Sequence, residues 1–171
     1  MQPELPVSDW VARWAPLVTA GPVLDVACGN GRHARYFLQR GLEVHAVDRK
    51  RVELPGVHFL QADLENGNPW PFAGRRFAAV VVINYLYRPL FAPLCECLAP
   101  GGILLYETFM LGNEKFGKPS NPDFLLRPGE LLEAFAALEA VAFEQLVVAR
   151  PRPAAVQRLC GRVRIGGHDH R

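Results

Sequence analysis

Apolar positions in this chain follow two alternating patterns. Short, nearly continuous runs occur at Val23–Ala27, Val44–Val47, Val57–Leu60, Phe77–Ile83 and Ile103–Tyr106, bounded by Gly, Pro or charged residues. Such runs suit strands covered on both faces, as in a parallel sheet. Between them the spacing turns helical. Ser8 is positioned to cap a first helix with Trp10, Val11 and Trp14 on one face, and Pro16 ends or bends it. Arg32–Arg40 groups Ala34, Phe37 and Leu38, with Gly41 as the stop. Leu90, Phe91, Leu94, Cys97 and Leu98 mark a third helix, in which Pro89 suits the first turn and Pro93 fits poorly. Leu131, Leu132, Phe135 and Leu138 mark a last one.

The chain closes on two strand-like segments, Ala142–Ala149 and Ala155–Ile165, which read as an antiparallel pair joined by Pro151-Arg152-Pro153. In the second, Leu159, Val163 and Ile165 share one face, and Arg158, Arg162 and Arg164 share the other. This alternation predicts an α/β three-layer sandwich, with a mostly parallel sheet and an antiparallel C-terminal strand pair. Asp48 to Val57 is too short for a full helix. Phe109–Arg127 is long and polar, with Gly112, Gly117, Pro119 and Pro122, in the manner of a lid or binding loop.

Of the 171 residues, 50% are apolar and 21% charged, which supports one core and excludes wholesale disorder. No apolar run reaches the ~18–20 residues of a membrane span. Met1-Gln2-Pro3-Glu4 carries no basic segment ahead of an apolar stretch, so a cytoplasmic chain without a membrane segment is expected. The expected layout is a single domain over 1–165, with a helical cover at 1–20 and a flexible tail at 166–171. Cys28, Cys95, Cys97 and Cys160 form no Cys-x-x-Cys pair and read as reduced thiols. His168-Asp169-His170 lacks further ligands, so no metal site is expected.

Net charge is +2 but uneven. Residues 1–144 hold 13 Lys+Arg against 16 Asp+Glu, whereas 145–171 hold six Arg and one Asp. The Arg158/Arg162/Arg164 row reads either as a guard against edge pairing or as a shallow anion or RNA contact. No aromatic side chain is interleaved with it, so the first reading is preferred and a nucleic-acid partner is not expected.

The chemistry concentrates in Val23-Leu24-Asp25-Val26-Ala27-Cys28-Gly29-Asn30-Gly31-Arg32, a strand running into a glycine turn and a helix. Glycines there allow a tight turn and close approach of a ligand. Asp48 ends the next strand, where a carboxylate can accept both hydroxyls of a ribose. By itself the glycine pattern is a weak dinucleotide signal. Asp25, four residues before Gly29, would favour a ligand carrying an ammonium group over a pyrophosphate. Asp63 follows the third strand and can accept a hydrogen bond from an adenine amino group. A chain of this length also leaves no second domain for a hydride acceptor. Three spaced acids and a glycine turn suit a zwitterionic adenosyl ligand with a cationic sulfonium.

Four segments together resemble the class I S-adenosylmethionine-dependent methyltransferases. They are Leu24-Asp25-Val26-Ala27-Cys28-Gly29-Asn30-Gly31-Arg32, His45-Ala46-Val47-Asp48, Gln61-Ala62-Asp63-Leu64 and Leu98-Ala99-Pro100-Gly101-Gly102-Ile103-Leu104. The Cys-Gly-Asn-Gly-Arg wording is similar to the small tellurite-resistance-type methyltransferases. The resemblance implies a Rossmann-like seven-stranded sheet whose last strand is inserted antiparallel, with S-adenosyl-L-methionine as cofactor. It also implies that Gly29 and Gly31 pass under the methionine part, that Asp48 holds the ribose, and that Asp63 and Leu64 hold the adenine.

The remaining candidates each carry a plain alternative. Asn84 contacts the ligand or merely ends its strand. On the acceptor side, Tyr85 is catalytic or a packing aromatic, Arg88 binds an anion or is solvated, and Glu107 is a base or an ion-pair partner. The expected acceptor is a small molecule or reactive anion, covered by the Gly112–Arg127 loop and the helix around Trp10 and Trp14. Two other functions fit the same residues: a non-catalytic module that binds an adenosyl ligand or a partner, and an NAD-binding oxidoreductase fragment.

Overall fold

The computed structural model describes residues 5–166. His168-Asp169-His170 and all but the first residue of the expected tail lie outside that range. Seven strands form one sheet: β1 (Val23–Val26), β2 (Val44–Asp48), β3 (His58–Gln61), β4 (Phe77–Ile83), β5 (Leu98–Phe109), β6 (Glu139–Val148) and β7 (Ala154–Arg162). Their order is β3-β2-β1-β4-β5-β7-β6. Strands β1 to β5 pair in parallel, and β7 runs antiparallel to both β5 and β6. The expected seven-stranded, mostly parallel architecture is therefore the one observed.

Helices cover both faces. On one side, α1 (Asp9–Trp14) and α2 (Arg32–Gln39) bury Trp10, Val11, Ala34 and Phe37 against Val23, Ala46, Val81 and Leu105. On the other, α3 (Phe91–Glu96) and α4 (Glu130–Ala134) bring Leu94 and Leu131 onto Leu24, Val80, Leu104 and Leu159. Because both faces of β4 are covered, Val80 to Val82 are inaccessible to solvent on either side, which is why that run shows no alternation. Ser8 caps α1 as expected, its Oγ accepting the Trp10 amide at 3.1 Å. All four cysteines are free. Among the described residues, no helix is long and apolar enough to cross a membrane.

Three expectations need correction. Leu98 is not helical: α3 stops at Glu96, and Leu98 pairs with Phe77 as the first residue of β5, with Ala99–Gly102 bulged out before Ile103 meets Ala79. Pro93 is accommodated because it sits in the first turn of this short helix, where an amide has no intrahelical partner. The last strand ends at Arg162, so Val163, Arg164 and Ile165 do not extend the alternating faces, and Ile165 is 76% exposed. Finally, β7 lies inside the sheet, so its arginines guard no edge.

The long segment after β5, expected to cover an acceptor, is folded onto itself and onto β7. Phe109 and Leu111 exchange backbone hydrogen bonds with Leu126. Buried Asn113 donates to the Pro119 carbonyl and accepts from the Ala155 amide, which fastens the loop to the start of β7.

Candidate functional site

Strand order reverses between β1 and β4, and in open α/β sheets such a switch point opens a crevice beyond the carboxyl ends of the strands. Both residues leaving the sheet there are non-glycine and left-handed: Ala27 with φ 53° after β1 and Asn84 with φ 58° after β4. For Ala27 that backbone costs about 1–2 kcal/mol, strain of a kind that concentrates at functional sites. The turn that follows is held by the neighbouring strand. Asp48 Oδ2 accepts the Gly29 amide at 2.8 Å, and its Oδ1 accepts the Lys50 amide at 2.8 Å.

The two glycines differ in kind. A Cβ at Gly29 would meet no atom within 4 Å, so the turn faces open space. A Cβ at Gly31 would overlap Leu54 Cδ2. Gly31 is thus needed for close packing where α2 begins, and it does not line the crevice.

Three adjoining cavities occupy this end of the sheet. The first, about 260 Å³, is lined by Asp25, Ala27, Gly29, Asn30 and Asn84. Asp25 is buried, and its carboxylate accepts the Ala34 amide at 3.0 Å. Burial pushes its pKa up to about 7, against the lowering effect of that bond and of Arg32. Burial likewise pushes the Cys28 thiol up to about 12, which leaves it protonated and unreactive at neutral pH.

The second cavity, about 210 Å³, is lined by Asp48, Ala62, Asp63, Leu64, Glu65 and Tyr85. Asp63 caps its own turn through the Glu65 amide at 2.8 Å. Tyr85 donates to Glu65 at 3.1 Å, and burial together with that carboxylate pushes its pKa above the usual phenol range. Tyr85, a candidate for the acceptor side in the sequence, therefore stands beside Asp63 and Leu64 in this second cavity.

The third cavity is the largest, about 530 Å³. It shares Leu5, Arg32 and Asn84 with the first and adds Ser8, Glu107 and the hairpin between β6 and β7. Glu107 is held from two directions, forming an ion pair with Arg158 and accepting the Ser8 hydroxyl at 2.8 Å. Arg158 also reaches Glu144 at 3.2 Å. His33 fixes the same corner, its Nε2 accepting the Ser8 amide at 3.1 Å. Burial and the Arg32 charge lower its pKa to about 3, so the ring is neutral. Four arginines, Arg32, Arg150, Arg152 and Arg158, are among the residues lining this cavity, with Asp9 and Glu107 as the acids. Arg158 is paired with Glu107 and Glu144, and Arg32 donates to the Pro6 carbonyl at 3.0 Å.

The structure thus gathers Asp25, Gly29, Asp48, Asp63, Leu64, Asn84, Tyr85 and Glu107 at one end of the sheet. It withholds Arg88, whose guanidinium is bound by Glu130 at 2.7 Å and by the carbonyls of Asp123 and Leu125. Arg88 lies away from the crevice; partly exposed, it is paired with Glu130 and pins the loop before α4. The sequence reading missed Ala27, Arg32, Arg150 and Arg152. The excess of arginine after residue 145 is the available signal, but the edge-guard reading covers only Arg158, Arg162 and Arg164, and β7 is not an edge strand. Trp10 and Trp14 do not line the third cavity; the segment from Leu5 to Asp9, just ahead of α1, does.

A methyltransferase-domain family matches residues 23–102, the span from β1 into β5. The chain is 32% identical over 146 residues to a trans-aconitate 2-methyltransferase of Acidovorax sp. strain JS42, covering 78% of this chain and 51% of that protein. It is 30% identical over 176 residues to a protein of the same name from Sinorhizobium fredii, covering 92% of this chain and 63% of that one. The chain thus spans about half to two thirds of the length of these relatives. Among solved structures, TehB from Haemophilus influenzae superposes with TM-score 0.73 at 15% identity, over 92% of this chain and 63% of that one. The 1,6-didemethyltoxoflavin-N1-methyltransferase of Burkholderia thailandensis, solved with S-adenosylhomocysteine, gives TM-score 0.64 at 21% identity, over 91% and 76%.

Proposed function

We propose that this chain, a class I S-adenosylmethionine-dependent methyltransferase, transfers the methyl group of that cofactor to a small anionic acceptor seated in the arginine-lined cavity. In this reading Asp48 takes the ribose hydroxyls. Each of its oxygens accepts one backbone amide and keeps a second lone pair. Asp63 and Leu64 take the adenine, with Tyr85 closing that cavity. The open space above Gly29 and the buried carboxyl of Asp25 suit the amino-acid part.

Bound there, S-adenosylmethionine supplies a methyl carbon on a cationic sulfur that departs as a neutral thioether when an acceptor atom attacks. The chain's own contribution is alignment and exclusion of water. The Leu5–Asp9 segment roofs the junction, and Arg32 and Asn84 border both the first and third cavities. A carboxylate acceptor is already ionised at neutral pH, so the transfer needs no base. That agrees with Glu107, whose oxygens are engaged by Arg158 and Ser8 and which serves here to hold an arginine.

The observation that supports the acceptor class is the excess of arginine over acidic residues in the lining of the third cavity. The relatives named trans-aconitate 2-methyltransferases act, by that name, on a carboxylate anion. The family match and the named relatives are methyltransferases, which favours methyl transfer over the NAD-binding alternative. The test is methyl transfer from labelled cofactor to a panel of small di- and tricarboxylates, with neutral amines and thiols alongside. Transfer to carboxylates is expected, and the paired substitution Arg150→Ala with Arg152→Ala should raise KM at least tenfold with little change in kcat. Cofactor binding without transfer to any member of the panel would favour the non-catalytic module.

A further inference from the structure

A second group of ligand-type side chains stands at the other ends of β2 and β3. His45 and His58 are direct partners in the parallel register. Their rings stack with centroids 4.6 Å apart and planes 25° apart. Glu43 precedes β2, and its Oε1 lies 3.2 Å from His45 Nε2 and 3.6 Å from His58 Nε2. All three ligand atoms fall within 4.8 Å of one another.

We propose that Glu43, His45 and His58 form a site for a divalent transition metal of the zinc class, which clips the edge strand β3 onto β2. A tetrahedral ion bound at roughly 2.0–2.1 Å keeps its ligand atoms about 3.3 Å apart, and two of the three separations are already close to that. Two imidazoles and one carboxylate are ligands zinc accepts, and water fills the open position. Glu43 and His58 are exposed, so an ion reaches the group from solvent.

The hydrogen bonding around His45 is over-subscribed. Its Nε2 lies 3.2 Å from the Glu43 carboxylate, where it must donate, and 3.3 Å from Arg75 Nη2, where it must accept. One nitrogen cannot satisfy both. A metal ion resolves the conflict by taking the lone pairs of both rings and the carboxylate together, while Arg75, exposed and resting on the Phe77 ring, swings away. The clip has a structural object. Strand β3 has four residues, pairs only with β2, and leads directly into Ala62–Glu65, the wall of the second cavity. The site is independent of the methyl-transfer reading, since none of its residues lines any of the three cavities.

The test is calorimetric titration of the full, chelator-treated chain with Zn²⁺ alone, in a non-coordinating buffer at neutral pH. One equivalent is expected to bind, and both His58→Gln and Glu43→Gln should weaken uptake at least tenfold. Arg75→Ala, which removes the competing cation, should tighten it severalfold, a gain that misfolding cannot mimic. Replacing His168 and His170 by Ala should leave uptake unchanged. Absence of saturable uptake at millimolar Zn²⁺, uptake that survives His58→Gln, or uptake lost with the two tail histidines would each overturn the proposal.

Discussion

The carboxylate of Asp48 and the amide of Gly29 lie 2.8 Å apart, so the acid that ends β2 holds the glycine turn that leaves β1. Removing this side chain loosens the turn and deletes the proposed ribose contact together. Asp48→Ala is expected to weaken S-adenosylhomocysteine binding by about 1.5–3 kcal/mol, the range for hydrogen bonds to a charged group. Calorimetry reads this directly, and a change below about 1 kcal/mol would contradict the ribose assignment.

The two glycines of the turn should separate in their effects. Gly29→Ala places a methyl in open space and costs folding about 1–2 kcal/mol through its positive φ of 56°. Its main consequence is on the ligand, with an expected affinity loss of at least tenfold. Gly31→Ala combines a φ of 85° with overlap on buried Leu54 and should destabilise by roughly 2–4 kcal/mol. Urea unfolding and calorimetry on both variants decide it; equal effects on stability would refute the distinction.

Asp25 makes stability depend on pH with a definite sign. Its carboxyl titrates near 3.8 in the unfolded chain and about 7 in the folded one, chiefly through burial. Between those values the folded protein keeps a proton that the unfolded chain has released. Its contribution is therefore fully present below about pH 4, and declines as pH rises toward 7. His33 acts in the opposite sense below 6.5, because its folded pKa is lowered to about 3. The informative quantity is thus the difference between the wild type and Asp25→Asn, which keeps an acceptor for the Ala34 amide. That variant should gain stability relative to wild type as pH rises from 4 to 8, in urea unfolding at several pH values. A pH-independent difference would mean that Asp25 ionises normally.

Glu107 and Arg158 form the most buried ion pair among the described residues, with side chains 11% and 9% exposed. Truncating one partner strands the other charge, which typically costs about 3–5 kcal/mol. Because Arg158 retains Glu144 at 3.2 Å, Glu107→Gln should fall near the lower end of that range. If Glu107 were instead a catalytic base, the same change would suppress transfer to acceptors that must lose a proton far more than transfer to carboxylates. Denaturation and turnover measured together separate the two roles.

Much of the sheet was legible because its signals are local. Continuous apolar runs mark strands covered on both faces, and the glycine turn with Asp25, Asp48 and Asp63 repeats a family pattern in sequence order. All of these were assigned to one end of the sheet, and they are found there. Failures came where two local signals competed. Leu98 fits a helical spacing, yet its pairing with Phe77 draws it into β5. Arg88 looks solvent-bound in sequence because its partner, Glu130, is 42 residues away.

The sequence by itself determined the fold class and the placing of Asp25, Asp48 and Asp63 after successive strands at one end of the sheet, since both depend on local periodicity and on where each apolar run stops. Tertiary structure alone decided the meaning of the basic C-terminal end. Inserting β7 between β5 and β6 turns Arg158 inward onto Glu107 and brings the Arg150–Arg152 hairpin to the rim of the third cavity. The same holds for Glu43, His45 and His58, which come together only through the register of two parallel strands. In each case the deciding quantity is which strand lies beside which, and that is set by the burial of both sheet faces at once.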